Sequence, residues 1–150
     1  MKSIQVIKLI QVKEDMLPFG TTAVSSSIEA ARIAHTFLEG VDREHFCVIC
    51  LNAKNKINAL HTVSIGTVDQ CLVAQRECFK LAIISNSVSI IVFHNHPSGD
   101  PQPSSQDIEL TRALVKAGDI LNITVHDHII IGDGMDNYVS LKESQYAIWS

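Results

Sequence analysis

The sequence predicts an α/β fold in which a mixed sheet is covered by helices. Short runs rich in β-branched and aliphatic residues lie at 46–51, 57–65, 88–93, 123–131 and 138–141 and read as strands. Stretches with apolar residues at helical spacing stand among them. The first two strong runs are joined by a short polar turn, and the runs from 57–65 through 123–131 by helix-length segments. A hairpin is therefore followed by βαβ-like units, and the sheet must mix antiparallel with parallel pairing.

The elements follow in order. Met1 to Ile10 alternates polar and apolar residues, which predicts an N-terminal strand within 1–20 rather than a signal-peptide core. Residues 20–27 form a polar loop, and Ser26-x-x-Glu29 has the spacing of a capping box. It opens a helix carrying Ile28, Ala31, Ala34 and Leu38 on one flank and ending near Gly40. The strands 46–51 and 57–65 flank Asn52-Ala53-Lys54-Asn55-Lys56, a hairpin turn whose lysines are solvated. A helix at 76–84 leads to the buried strand 88–93. Ser104 then caps a helix with Ile108, Leu110, Thr111, Leu114 and Val115, stopping at Gly118. Strands at 123–131 and 138–141 complete the chain.

With 150 residues, 46% of them hydrophobic, the chain is long enough for one compact domain over 1–150, with its core at about 25–145. No apolar run approaches the roughly 18 residues of a membrane span, and a cytoplasmic location is expected. The net charge is −4, and no window gathers the lysine and arginine needed for a phosphate-backbone footprint, so nucleic-acid binding by this domain is disfavoured. Cys47-Val48-Ile49-Cys50 is formally a C-x-x-C. Strand positions three apart point to opposite faces, however, so the two sulfurs cannot readily share a metal or a bridge, and they read as buried structural thiols. Cys71 and Cys78 make no recognised ligand spacing.

The most informative stretch runs from His94 to Asp107. The buried strand delivers His94 and His96 to one face at its carboxyl end. Pro97, Gly99, Pro101 and Pro103 then enforce a reversal before the next helix begins. Asp107, in the first turn of that helix, folds back towards the histidines. Two neutral imidazoles and a carboxylate leave the fourth tetrahedral position of zinc open, the pattern of catalytic rather than structural sites. Such a site lowers the pKa of water to about 7 and polarises a carbonyl, and a nearby carboxylate would move the proton. Ser104 has two readings, cap and chemistry, which are compatible. Asp100 either orients a histidine or stabilises the turn. His126 and His128 share strand parity and are expected to be supporting hydrogen-bonded or structural residues, whereas His35, His45 and His61 carry no pairing signal.

His94-x-His96, seven residues, Ser104, two residues and Asp107 resembles the JAMM (MPN+) metalloprotease motif, and His94-Asn95-His96-Pro97-Ser98-Gly99-Asp100-Pro101 looks like the signature of its RadC branch. Ser64-Ile65-Gly66-Thr67, Arg76-Glu77 and Asp127-His128-Ile129-Ile130-Ile131-Gly132 are similar as well. The resemblance covers about 25–145. It implies a three-layer α/β/α fold related to cytidine deaminases, with His94, His96 and Asp107 as zinc ligands and Ser104 steadying a tetrahedral intermediate. It also implies a glutamate base just before a central strand, the place Glu44 occupies. Glu77 competes for that role, with a bland alternative as a first-turn acid.

The implied activity is zinc-dependent hydrolysis of a peptide or isopeptide bond in a peptide or protein substrate. The alternative is a metal-holding, non-catalytic binding module in DNA repair or mobile-element biology. Nucleobase deamination is disfavoured, since position 96 is His where those enzymes have H-x-E. RadC proteins usually carry an N-terminal helix-hairpin-helix-like region. This chain is expected to be a short form without it, which removes the plainest physical support for a DNA role.

Overall fold

A computed structural model describes residues 1–66 and 73–149. The elements are α1 (Ser27–Phe37), β1 (His45–Leu51), β2 (Ile57–Ile65), α2 (Gln75–Ile84), β3 (Ser89–Asn95), α3 (Ser105–Leu121), β4 (Thr124–Ile131) and β5 (Tyr138–Ser140). The sheet order is β2-β1-β3-β4-β5, and only β3 and β4 pair in parallel, joined through α3. This is the mixed α/β sheet that the spacing of runs implied. Residues 67–72, which include Thr67 and Cys71, lie outside the described residues.

Alternation along the strands builds two cores. Cys47, Ile49, Leu51, Ile91, Phe93, Ile129 and Ile131 face α1, where Ala30, Ala31, Ile33 and Ala34 meet them. Phe46, Val48, Cys50, Ile90, Val92 and Val125 face the opposite way, onto Cys78, Phe79 and Ala82 of α2 and Leu114 of α3. Helices thus cover both faces, giving three layers. Cys47 and Cys50 lie in different cores, as their three-residue spacing requires. Burial pushes the Cys50 thiol up to about 12, out of the reactive range.

Four local readings need correction. Residues 1–18 are exposed and residues 1–19 carry neither helix nor strand. Alternation sets which way side chains would point, but it supplies no edge to pair with. Chain pairing begins at Ala23, which bridges Lys56 at the outer edge of the hairpin. At α1 only half of the capping box forms: Ser26 accepts from the Glu29 N–H, whereas the Glu29 carboxylate turns to the Ser25 N–H and hydroxyl at 2.7 Å.

The third correction is that α3 does not stop at Gly118. It runs to Leu121 and is closed by Asn122 in the left-handed region, φ 57°, a conformation that asparagine tolerates. Gly118 is needed instead for close packing, because a Cβ there would press into the Ile123 carbonyl and crowd the side chain of Val125.

The fourth concerns β4. Ile90 pairs with Val125 but Ile91 pairs with Asp127, so His126 is bulged out and parity changes across it. Val125 therefore faces α2 and α3 while Ile129 faces α1. His126 and His128 do not share a face, and His128 is turned onto the α3 side beside Val92. Asp127, on the α1 side, is buried and accepts from the Ser140 hydroxyl (2.6 Å), the Lys142 N–H (3.1 Å) and the His128 N–H (2.7 Å), tying β5 to β4.

Gly118→Ala separates propensity from packing. The helix would gain up to about 1 kcal/mol from alanine, but overpacking against backbone costs about 1–3 kcal/mol. We expect a net loss of roughly 1 kcal/mol, read as a lower urea midpoint at unchanged slope. A higher midpoint would show that α3 can lift off β4 freely.

Candidate metal centre

His94 is the sixth residue of β3, on the face that carries Ile90 and Val92, and its ring is fully buried. Phe46 of β1 is its register partner and stacks on it, with ring centroids 5.7 Å apart and planes at 19°. His96 follows just beyond the strand, where its N–H donates to the Ile131 carbonyl at 3.0 Å. The chain then reverses. The Gly99 N–H donates to the His96 carbonyl, and the Gly99 carbonyl accepts from the Asp133 N–H (3.0 Å) and the Asn137 amide (3.1 Å). Gly99 has φ +87°, which favours glycine.

The turn leads to a complete capping box at α3. Ser104 Oγ accepts from the Asp107 N–H at 3.1 Å, and Asp107 Oδ2 accepts from the Ser104 N–H at 2.9 Å. A carboxylate in this first turn is also favoured by the helix dipole. Asp107 then presents Oδ1 at 3.3 Å from His94 Nε2 and Oδ2 at 3.2 Å from His96 Nε2, with the two Nε2 atoms 3.0 Å apart. Among the described residues, His94, His96 and Asp107 form a group able to hold a metal ion, each offering an atom within 4.8 Å of the others.

The donor chemistry fits such an ion. His96 Nδ1 lies 2.8 Å from the Asp100 carbonyl, which can only accept, so Nδ1 carries a proton and neutral His96 turns its Nε2 lone pair inward. The backbone of Asp100 thus orients the ring, while its side chain accepts from the Gln102 N–H at 3.1 Å and stabilises the turn. The electrostatics demand positive charge. Burial alone would raise Asp107, but hydrogen bonds with His94 and His96 more than offset it and hold the carboxyl well below the usual carboxylate range. The Asp107 contact raises His96 against the opposing effect of burial. A cluster that draws a proton onto an imidazole is one that draws a metal cation.

Glu44 stands directly before β1, its Oε1 3.8 Å from His94 Nε2 and its side chain 15% exposed. Burial raises its pKa, His94 opposes that, and the negative charge of Asp107 adds to it. Glu77 is elsewhere, in the first turn of α2 between Arg76 (3.7 Å) and Lys80 (3.8 Å). Ser104 is exposed at the cap of α3. Of the other histidines, His128 reaches the centre, with Nε2 2.8 Å from His94 Nδ1. His126 does not, because the bulge turns it out.

Two contributing residues gave no separate signal in the sequence. Asn95 lies between the histidines and so points sideways: its Oδ1 accepts from the His45 N–H (2.8 Å) and its amide donates to the Arg43 carbonyl (3.0 Å), gripping Glu44 from both sides. The alternation that put His94 and His96 on one face already required Asn95 to serve another purpose. Thr111, one turn after Asp107, is buried 2.6 Å from His128 Nδ1. It read only as part of the apolar stripe of its helix.

Comparison with known proteins assigns the chain to a family. The family model of the RadC-like JAB domain matches residues 24–146. The chain belongs to that family. It is 47% identical over 126 residues to a UPF0758 protein of Desulfitobacterium hafniense, covering 84% of this chain and 55% of the relative. A UPF0758 protein of Caldanaerobacter subterraneus is 48% identical over 124 residues, covering 83% and 52%. One from Desulforamulus reducens is 52% identical over 105 residues, covering 70% and 45%. The chain thus spans about half the length of these RadC-family relatives. No helix among its described residues is long and apolar enough to cross a membrane.

Affinity for a metal ion, probed with zinc, should depend on pH in a direction these contacts set. A protonated His96 cannot ligate, and its pKa is raised, so affinity falls on acidification from a higher pH than an ordinary imidazole would impose. Asp107 stays ionised throughout that range. Competition titration against a chromophoric chelator at several pH values checks this, and affinity that is flat from alkaline pH to below pH 6 would contradict it.

Proposed function

We propose that this RadC-like domain is a zinc-dependent hydrolase of peptide or isopeptide bonds, with His94, His96 and Asp107 holding the ion. The observation that carries the reading is Glu44: a shielded carboxylate 3.8 Å from the Nε2 of one candidate ligand, in the setting where a general base is required. When bound, the ion supplies Lewis acidity and a water acidic enough to lose its proton near neutral pH.

The residues of the chain then divide the remaining work. Glu44 accepts one proton of the attacking water as the water oxygen bonds to the carbonyl carbon. The same carboxyl returns that proton to the departing amine as the C–N bond breaks, so water is added across the bond. The upward push of burial on Glu44 suits a group that must both take and give a proton. The Ser104 hydroxyl uses its oxygen to cap α3 and keeps its own proton, which we assign to the carbonyl oxygen as negative charge develops there. Asn95 holds Glu44 in place through the backbone on either side.

We expect Glu44→Gln to keep stoichiometric zinc and to lower cleavage of a peptide library by on the order of 10²–10⁴. Ser104→Ala should lower it by on the order of 10²–10³ and cost about 1 kcal/mol through the lost cap. Glu77→Gln should behave as wild type. Full zinc in the wild type with no Glu44-dependent cleavage would favour a binding module instead, and protein that takes up no zinc on reconstitution would remove the hydrolase reading.

A further inference from the structure

Behind the metal centre lies a buried chain of contacts that leads from one candidate ligand back to another. Thr111 Oγ1 is 2.6 Å from the Asp107 backbone carbonyl and 2.6 Å from His128 Nδ1. His128 Nε2 is 2.8 Å from His94 Nδ1. His128 and Thr111 are fully buried, and Phe46 packs edge-on against the His128 ring at 5.4 Å, so neither ring nor hydroxyl has water as an alternative partner.

Proton counting leaves a single arrangement. A carbonyl can only accept, so the one hydroxyl proton of Thr111 lies towards Asp107. Thr111 Oγ1 must then accept from His128, which puts a proton on His128 Nδ1. A fully buried imidazole is neutral, so His128 Nε2 bears a lone pair and accepts. His94 Nδ1 must donate to it, so Nε2 is the nitrogen of His94 left to face Asp107 and His96, and the one from which a metal ion would displace any proton.

We propose that Thr111 and His128 are positioning residues that fix the tautomer of His94, so that its Nε2 is always presented as a metal donor. The proposal rests on the reading of His94 as a ligand. Asp107 closes the circuit: its carboxylate stands 3.3 Å from His94 Nε2, and its carbonyl sets the proton order that keeps the Nδ1 proton of His94 in place. The same helix turn therefore supplies a ligand and prepares its neighbour.

The test is made on the whole 150-residue chain, zinc-free and on the alkaline side of neutrality, by long-range ¹H–¹⁵N correlation of the imidazoles. We expect the proton of both His94 and His128 on Nδ1 in the wild type and in Thr111→Ser. Thr111→Val keeps the shape and removes the acceptor, so His128 should move its proton to Nε2, His94 should follow, and zinc should bind about 10–100-fold more weakly. An unprotonated Nδ1 on either ring in the wild type overturns the relay without any variant. So does a folded Thr111→Val with unchanged tautomers or unchanged zinc affinity. Wild-type protein with the assigned tautomers but no zinc binding would sink the proposed function and leave the relay standing.

Discussion

The structure around the centre depends on one carboxylate held in place by the end of a helix. Asp107 completes the capping box of α3 with Ser104 and reaches both His94 and His96 with the same two oxygens. A free aspartate beside two imidazoles would lose rotamer freedom on meeting them and would repel Glu44. Here the cap has already ordered the side chain, and its charge is offset by the N–H groups of the first turn. The Pro/Gly segment acquires its role from this constraint. It need only bring the start of α3 back to the end of β3, and the cap then fixes the carboxylate.

The centre is also negatively biased while mostly buried. Glu44 and Asp107 share a small volume with two imidazoles, and their responses diverge: burial dominates at Glu44 and pushes it up, whereas hydrogen bonds dominate at Asp107 and pull it down. Two neighbouring acids thereby acquire different characters, one with its carboxyl pushed up and the other held down as an anion.

Most of this could be read from the chain because the signals were local and redundant. The spacing of His94 and His96, the prolines, and Ser104 three residues before Asp107 each pointed to the same turn. The two faces of Cys47 and Cys50 followed from strand parity alone. What escaped depended on partners distant in sequence. The bulge at His126 arises from registering β4 on β3, and nothing within 124–131 announces it. The N-terminal alternation had the pattern of a strand without a neighbour. Gly118 looked like a helix stop because glycine ends helices, whereas the structure uses its missing side chain against the Ile123 carbonyl. Asn95 and Thr111 were masked by plainer identities, as a residue between ligands and as one more member of a helix stripe.

Asn95 has a consequence for how such a domain can diversify. It anchors Glu44 to the histidine-bearing strand across adjacent strands, so the gap between Glu44 and the histidines is set by the inter-strand spacing of about 4.8 Å and by hydrogen bonds to the backbone. No loop length enters that gap. The loops around the rim are then at liberty to lengthen, shorten or change sequence, while the centre keeps its dimensions. Under the function proposed above, versatility in what is recognised and constancy in what is done to it would be inherited through separate parts of the chain.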